Sequence, residues 1–149
     1  MNIFVVLRVI LGIFFIVSGS EKLISPKENF LYVVQSYEVL PKSLENIVVQ
    51  IIPWWEFLLG VFLMLGLWLK PVLMGLMILT AMFINVVGQA IIRDLPITEC
   101  GCFGDLVSVP LPVVLTMDST LLVLFIFLLI RLPKTSCFSL DHSFYAQAK

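Results

Sequence analysis

Two cysteines separated by a single glycine, Cys100-Gly101-Cys102, carry the clearest chemistry in this 149-residue chain. In extended backbone, alpha carbons two residues apart lie beyond the ~4.4–6.8 Å that a disulfide accepts, so a bridge requires the chain to fold back. Gly101 has the conformational freedom to do so. A ring this small closes almost no loop and stabilises the fold little. Strained, exposed disulfides are the labile and oxidising ones. If the bond forms, thiol–disulfide exchange explains it better than stapling. Glu99 and Asp105 flank the pair, and negative neighbours disfavour thiolate; Arg93 is a partial offset. Two other readings stay open. The cysteines can be small apolar residues in a turn, or a two-thiolate site for a soft ion such as Cu(I). With no further ligand nearby and His142 the single histidine, we assign no metal residues.

A second set of candidates lies inside apolar segments, where charge is costly and commonly functional: Arg8, Glu56 and Asp118. At 1.5 Å per residue, Arg8 lies ~17 Å, Glu56 ~15 Å and Asp118 ~9–12 Å from the membrane face that carries the cysteines. With the second span beginning near Asn46, as the Glu56 depth requires, Arg8 and Glu56 could meet as a pair, helped by the reach of arginine. Asn85 and Gln89, four apart, share one helix face at similar depth. The functional reading makes Asp118 and Glu56 proton-handling groups, with Arg8, Asn85 and Gln89 lining a polar cavity for a small head group. The structural reading is a polar network that sets helix register.

The elements that must position these residues are membrane helices. The chain is 60% hydrophobic and 13% charged, against about 45–50% and about 25% in a soluble domain. Too little polar surface remains to cover a globule, and the chain belongs in a lipid bilayer. A net charge of −1, with no basic run, excludes nucleic-acid binding. Apolar segments at about 2–19, 46–69, 71–92 and 110–132 each approach the ~20 residues that cross a bilayer as helix. None alternates as a barrel strand would. The expected fold is all-α, one domain over 1–149: an antiparallel bundle of four transmembrane helices, the first retained rather than cleaved as a signal peptide. Pro53 either kinks the second span or begins a shorter one.

Between the first two spans, Ser25 and Glu28 read as a capping box with Pro26 at the first helical position. Phe30, Val33, Val34 and Tyr37 then share a face. A short amphipathic helix follows, lying on the membrane surface or packed over the bundle mouth. Residues 93–109, the cysteine loop, are longer than a helical hairpin needs. Four spans put both termini, including the tail 133–149, on one side; we expect that side to be cytoplasmic, because cytosolic thiols are kept reduced.

Arg8, LGIFF followed by Ser18-Gly19 and Lys22, PWWEFLLG with Glu56 and Gly60, CGCFG at 100–104, and Asp118 together resemble the MauE/DoxX group of small four-helix membrane proteins. The resemblance runs over nearly the whole chain, and CGCFG ties it to the MauE branch of methylamine utilisation. It implies a redox-associated protein of the bacterial inner membrane that supports disulfide formation. Electrons would come from an extracytoplasmic thioredoxin-like protein or folding client and pass to a lipid quinone. No cofactor follows from the residues themselves. A non-catalytic assembly factor and, behind it, a soft-metal carrier are the alternatives.

Overall fold

In the computed structural model, residues 3–37, 39, 41–94 and 109–131 are described. They form five helices: α1 (Ile3–Ile24), α2 (Lys27–Ser36), α3 (Lys42–Leu65), α4 (Leu69–Ile92) and α5 (Leu111–Ile130). All but α2 are long and apolar enough to cross a membrane, and no strand occurs among the described residues. Apolar side chains such as Ile13, Val17, Ile51, Trp54, Ile78 and Val123 face outward, where lipid tails rather than water receive them. The chain is a multi-pass, all-helical membrane bundle.

Two antiparallel pairs, α1 with α3 and α4 with α5, make up the bundle, and α2 packs against α3. Glycines set the first pair. A Cβ on Gly19 would lie 2.7 Å from the Phe57 backbone nitrogen, and one on Gly60 would lie 2.8 Å from that of Ile16. Without those side chains the two backbones come into direct contact, as small residues allow in membrane helices. Gly66 has another task. It closes α3 at φ 73°, with Leu67 N–H bonded back to the Phe62 carbonyl at 2.9 Å, and α4 starts within three residues.

Several boundaries differ from the sequence expectation, among them the end of α3, at Leu65 rather than near residue 69. α1 runs to Ile24 instead of stopping near residue 19, so Ser18 and Lys22 sit on its last turns. α3 begins at Lys42 and passes through Pro53 unbroken. The capping box does not form: Pro26 holds the N-cap position, and Ser25 Oγ donates to Glu21 Oε1 at 2.7 Å. One turn earlier on α1, that carboxylate accepts the Ser25 hydroxyl, and no side chain caps the first N–H groups of α2.

Apolar packing divides into two clusters. One, around Leu63, Leu73, Leu76, Phe125 and Leu128, fills the end with the α3–α4 turn. The other joins Tyr37, Val87, Ala90, Leu111 and Val114 at the opposite end. There α4 leads into the cysteine loop and α5 leads out of it. Cys100 and Cys102 lie outside the described residues, as do Cys137 and His142.

Candidate functional site

Between the two apolar clusters, four helices each contribute polar groups to one buried site. Ser18 and Lys22 are four apart on α1 and so share a face. Because Gly19 lets α3 approach, Glu56 reaches both of them. Lys22 Nζ donates to Glu56 Oε2 at 2.7 Å, to Oε1 at 3.0 Å and to Ser18 Oγ at 3.1 Å. Ser18 Oγ in turn donates to Glu56 Oε2 at 3.3 Å. Only 2% of the Lys22 side chain and 1% of the Glu56 side chain is exposed. Two ions this buried lose their hydration, and they are tolerated because each neutralises the other and their polar atoms are bonded. The ammonium lies over the rings of Phe30 and Phe83, at 5.7 and 5.5 Å from their centroids, which adds cation–π attraction.

α4 and α5 complete the site with Thr80 and Asp118. Together with Ser18, Lys22 and Glu56 they line a cavity of about 30 Å³. Asp118 Oδ2 and Thr80 Oγ1 are buried with no hydrogen-bond partner among the described residues.

Lys22 also borders a larger cavity, of about 370 Å³, toward the cysteine-loop end. Its walls are mostly apolar: Phe30, Val33, Val34 and Tyr37 from α2 and its end, with Ile52 and Val86 opposite. The helical face read from the sequence of α2 therefore covers the bundle mouth. Asn85 and Gln89 supply amides to the same wall, joined by a Gln89 Nε2 to Asn85 Oδ1 bond of 2.7 Å. Asn85 is exposed on a membrane-spanning helix, which leaves a polar group at the side of the bundle where lipid would lie. Burial, and after it the charge of Asp118, pushes the Tyr37 hydroxyl from 10.0 up to about 12, so it stays protonated beside this cavity at neutral pH. Gln35 Nε2 ties α2 to Glu45 Oε2 on α3 at 2.9 Å.

Among the sequence candidates, Glu56 and Asp118 come together at the small cavity, and Asn85 and Gln89 at the large one. Arg8 does not join them. It is buried, but it lies ~21 Å along α1 from Lys22 and lines neither cavity. Glu56 pairs with Lys22 instead. Ser18, Lys22 and Thr80 were not among the residues singled out for chemistry. For Ser18 and Lys22 a signal existed, their i, i+4 spacing at the end of the first span; a lone threonine in an apolar helix offers none.

The family model described as methylamine utilisation protein MauE matches residues 1–131. Comparisons with curated proteins and with solved structures give no match. The matched residues take in all four spans and every side chain of both cavities, and the chain belongs to the MauE family.

Proposed function

We propose that this MauE-family chain is a thiol–disulfide redox protein of the bacterial inner membrane, acting in methylamine utilisation with a lipid quinone as electron acceptor. In this reading both termini are cytoplasmic and the cysteine loop is extracytoplasmic. The observation that carries it is the large cavity at the cysteine-loop end, apolar along its walls and polar at Lys22, Asn85 and Gln89. Its volume lies in the range of about 300–1,000 Å³ typical of small-molecule sites. The exposed Asn85 amide suits a ligand arriving from the lipid with a hydrogen-bonding head group.

The chemistry divides between the loop and the bundle. Two thiols of an extracytoplasmic partner, thioredoxin-like or a folding client, are oxidised to a disulfide as the Cys100–Cys102 disulfide is reduced to two thiols. Re-forming that disulfide releases two electrons and two protons. Quinone, when bound, supplies the acceptor for both and becomes quinol. Lys22, Asn85 and Gln89 would hold the head group, as polar groups on the cavity wall able to hydrogen-bond its oxygens. Of the two carboxyl groups, Glu56 is engaged by Lys22 and Ser18. Asp118 has an oxygen free to exchange a proton.

Thiol trapping in intact cells tests this directly. We expect the wild-type pair to be oxidised in aerobic cells, and Cys100→Ser or Cys102→Ser to accumulate a mixed disulfide with the partner. A pair that stays reduced, with no mixed disulfide in either variant, rejects exchange and leaves an assembly role for the loop.

A further inference from the structure

The geometry points to a bound water molecule as a working part of the polar cluster, with Thr80 as the residue that positions it. Hydroxyl groups on a membrane helix usually bond a carbonyl one turn back. On α5, Thr116, Ser119 and Thr120 do this, at 2.8, 2.7 and 2.8 Å from the carbonyls of Val113, Leu115 and Thr116. Thr80 does not. It is 1% exposed, and its Oγ1 bonds nothing among the described residues while bordering the small cavity. Asp118 Oδ2, from the neighbouring helix, is in the same condition. Two buried polar atoms left unpaired on one cavity are an exception that native interiors resolve with ordered water. A water needs about 10–15 Å³ and two to four polar partners. The cavity offers about 30 Å³, with Thr80 Oγ1 able to donate or accept and Asp118 Oδ2 able to accept.

Such a water joins Asp118 to the Lys22–Glu56 pair, which lines the same small cavity. The relay role rests on the redox reading above; the water site itself does not. In the relay, protonated Asp118 gives its proton to the water while the water gives one of its own to the Glu56 carboxylate. One proton moves, the water is regenerated, and the negative charge passes from Glu56 to Asp118. Glu56 is bonded to Lys22, which also borders the large cavity, so the proton ends beside the head-group site. Thr80 exchanges no proton itself and acts as a positioning residue, by holding the water that does.

A structure of the intact protein in a lipid nanodisc, at a resolution that shows ordered water, is the first test. We expect density within hydrogen-bond distance of both Thr80 Oγ1 and Asp118 Oδ2; an empty cavity overturns the site. Thr80→Val, nearly isosteric, gives a second reading with opposite signs. It lowers the unfolding temperature if it strands a bound water, and raises it if it only removes an unpaired hydroxyl from a dry cavity. The relay is read from thiol-driven reduction of a short-chain ubiquinone. Thr80→Val should slow it by about 10-fold or more, with Thr80→Ser restoring the rate. Equal rates in wild type and Thr80→Val reject the relay. A wild type that reduces no quinone rejects the relay and the proposed function together, while the density still decides the water site.

Discussion

Lys22 and Glu56 lie 34 residues apart and meet at 2.7 Å in the middle of the bundle. Gly19 and Gly60 make that meeting possible, by bringing the backbones of α1 and α3 into contact. Packing and electrostatics are thus one feature: the glycines bury the ions, and the ion pair holds the helices in register.

Removing one ion leaves the other buried and uncompensated, at a cost of about 3–5 kcal/mol. We expect Lys22→Met and Glu56→Gln each to lower the unfolding temperature in detergent strongly. The double replacement Lys22→Met with Glu56→Leu should recover most of the loss, since it strands neither charge. Thermal unfolding of the three variants checks this. Equal destabilisation by the double and the single variants would show that the pair is not what the single changes break.

Glycine positions differ sharply in what a methyl group would meet. Gly19→Ala places a Cβ 2.7 Å from backbone of α3, and backbone cannot rotate aside. Overpacking of this kind costs about 1–3 kcal/mol, and separating the helices also lengthens the Lys22–Glu56 contact. Gly88→Ala on α4 meets nothing within 4 Å, so it should be neutral or slightly stabilising. Side-by-side melting curves test the contrast.

How much of this could be read from the chain before folding follows from what each feature depends on. The four spans rest on length and apolar content, which are local, and the structure has them. The α2 face of Phe30, Val33, Val34 and Tyr37 rests on periodicity, also local, and it lines the large cavity. Partnership is different. Arg8 and Lys22 are both cations near one apolar segment, and the choice of Glu56 between them depends on the α1–α3 register. That register is set by where glycines allow contact. Ending the first span near residue 19 also moved Lys22 outside the membrane, where a lysine needs no partner. The N-cap misreading was a local competition that Glu21 won through a turn of α1. The cysteine pair lies outside the described residues, and its chemistry is read from the CGCFG motif.

Tyr37 gives the bundle an alkaline limit. Its hydroxyl is pushed from 10.0 up to about 12, first by burial and then by Asp118. The folded state therefore favours the neutral phenol. Stability from this group is complete below pH 10, falls as pH rises from about 10, and is gone above about 12. The size is on the order of 2 kcal/mol. Tyr37→Phe has no proton to lose and should flatten the stability profile between pH 10 and 12. A wild-type profile as flat as that of Tyr37→Phe over this range would show that the phenol titrates normally.

The large cavity makes the last prediction, and it separates ligand binding from thiol chemistry. Val34 lines the cavity from α2 and is only half-buried, so a larger side chain there grows into the cavity without disturbing the four-span core. Val34→Trp should leave the unfolding temperature of the ligand-free protein nearly unchanged. A ligand that binds only the folded state stabilises it by RT ln(1 + [L]/Kd), about 2.7 kcal/mol at a concentration 100-fold above Kd. A short-chain ubiquinone should therefore raise the unfolding temperature of the wild type and raise that of Val34→Trp much less. Asn85→Leu should weaken the shift as well, through loss of a head-group partner rather than loss of space. If wild type and Val34→Trp shift equally, the quinone binds elsewhere on the bundle. Because melting shifts need no cysteine, both variants can be measured in a Cys100→Ser, Cys102→Ser background. Any effect seen there belongs to the cavity and not to the loop.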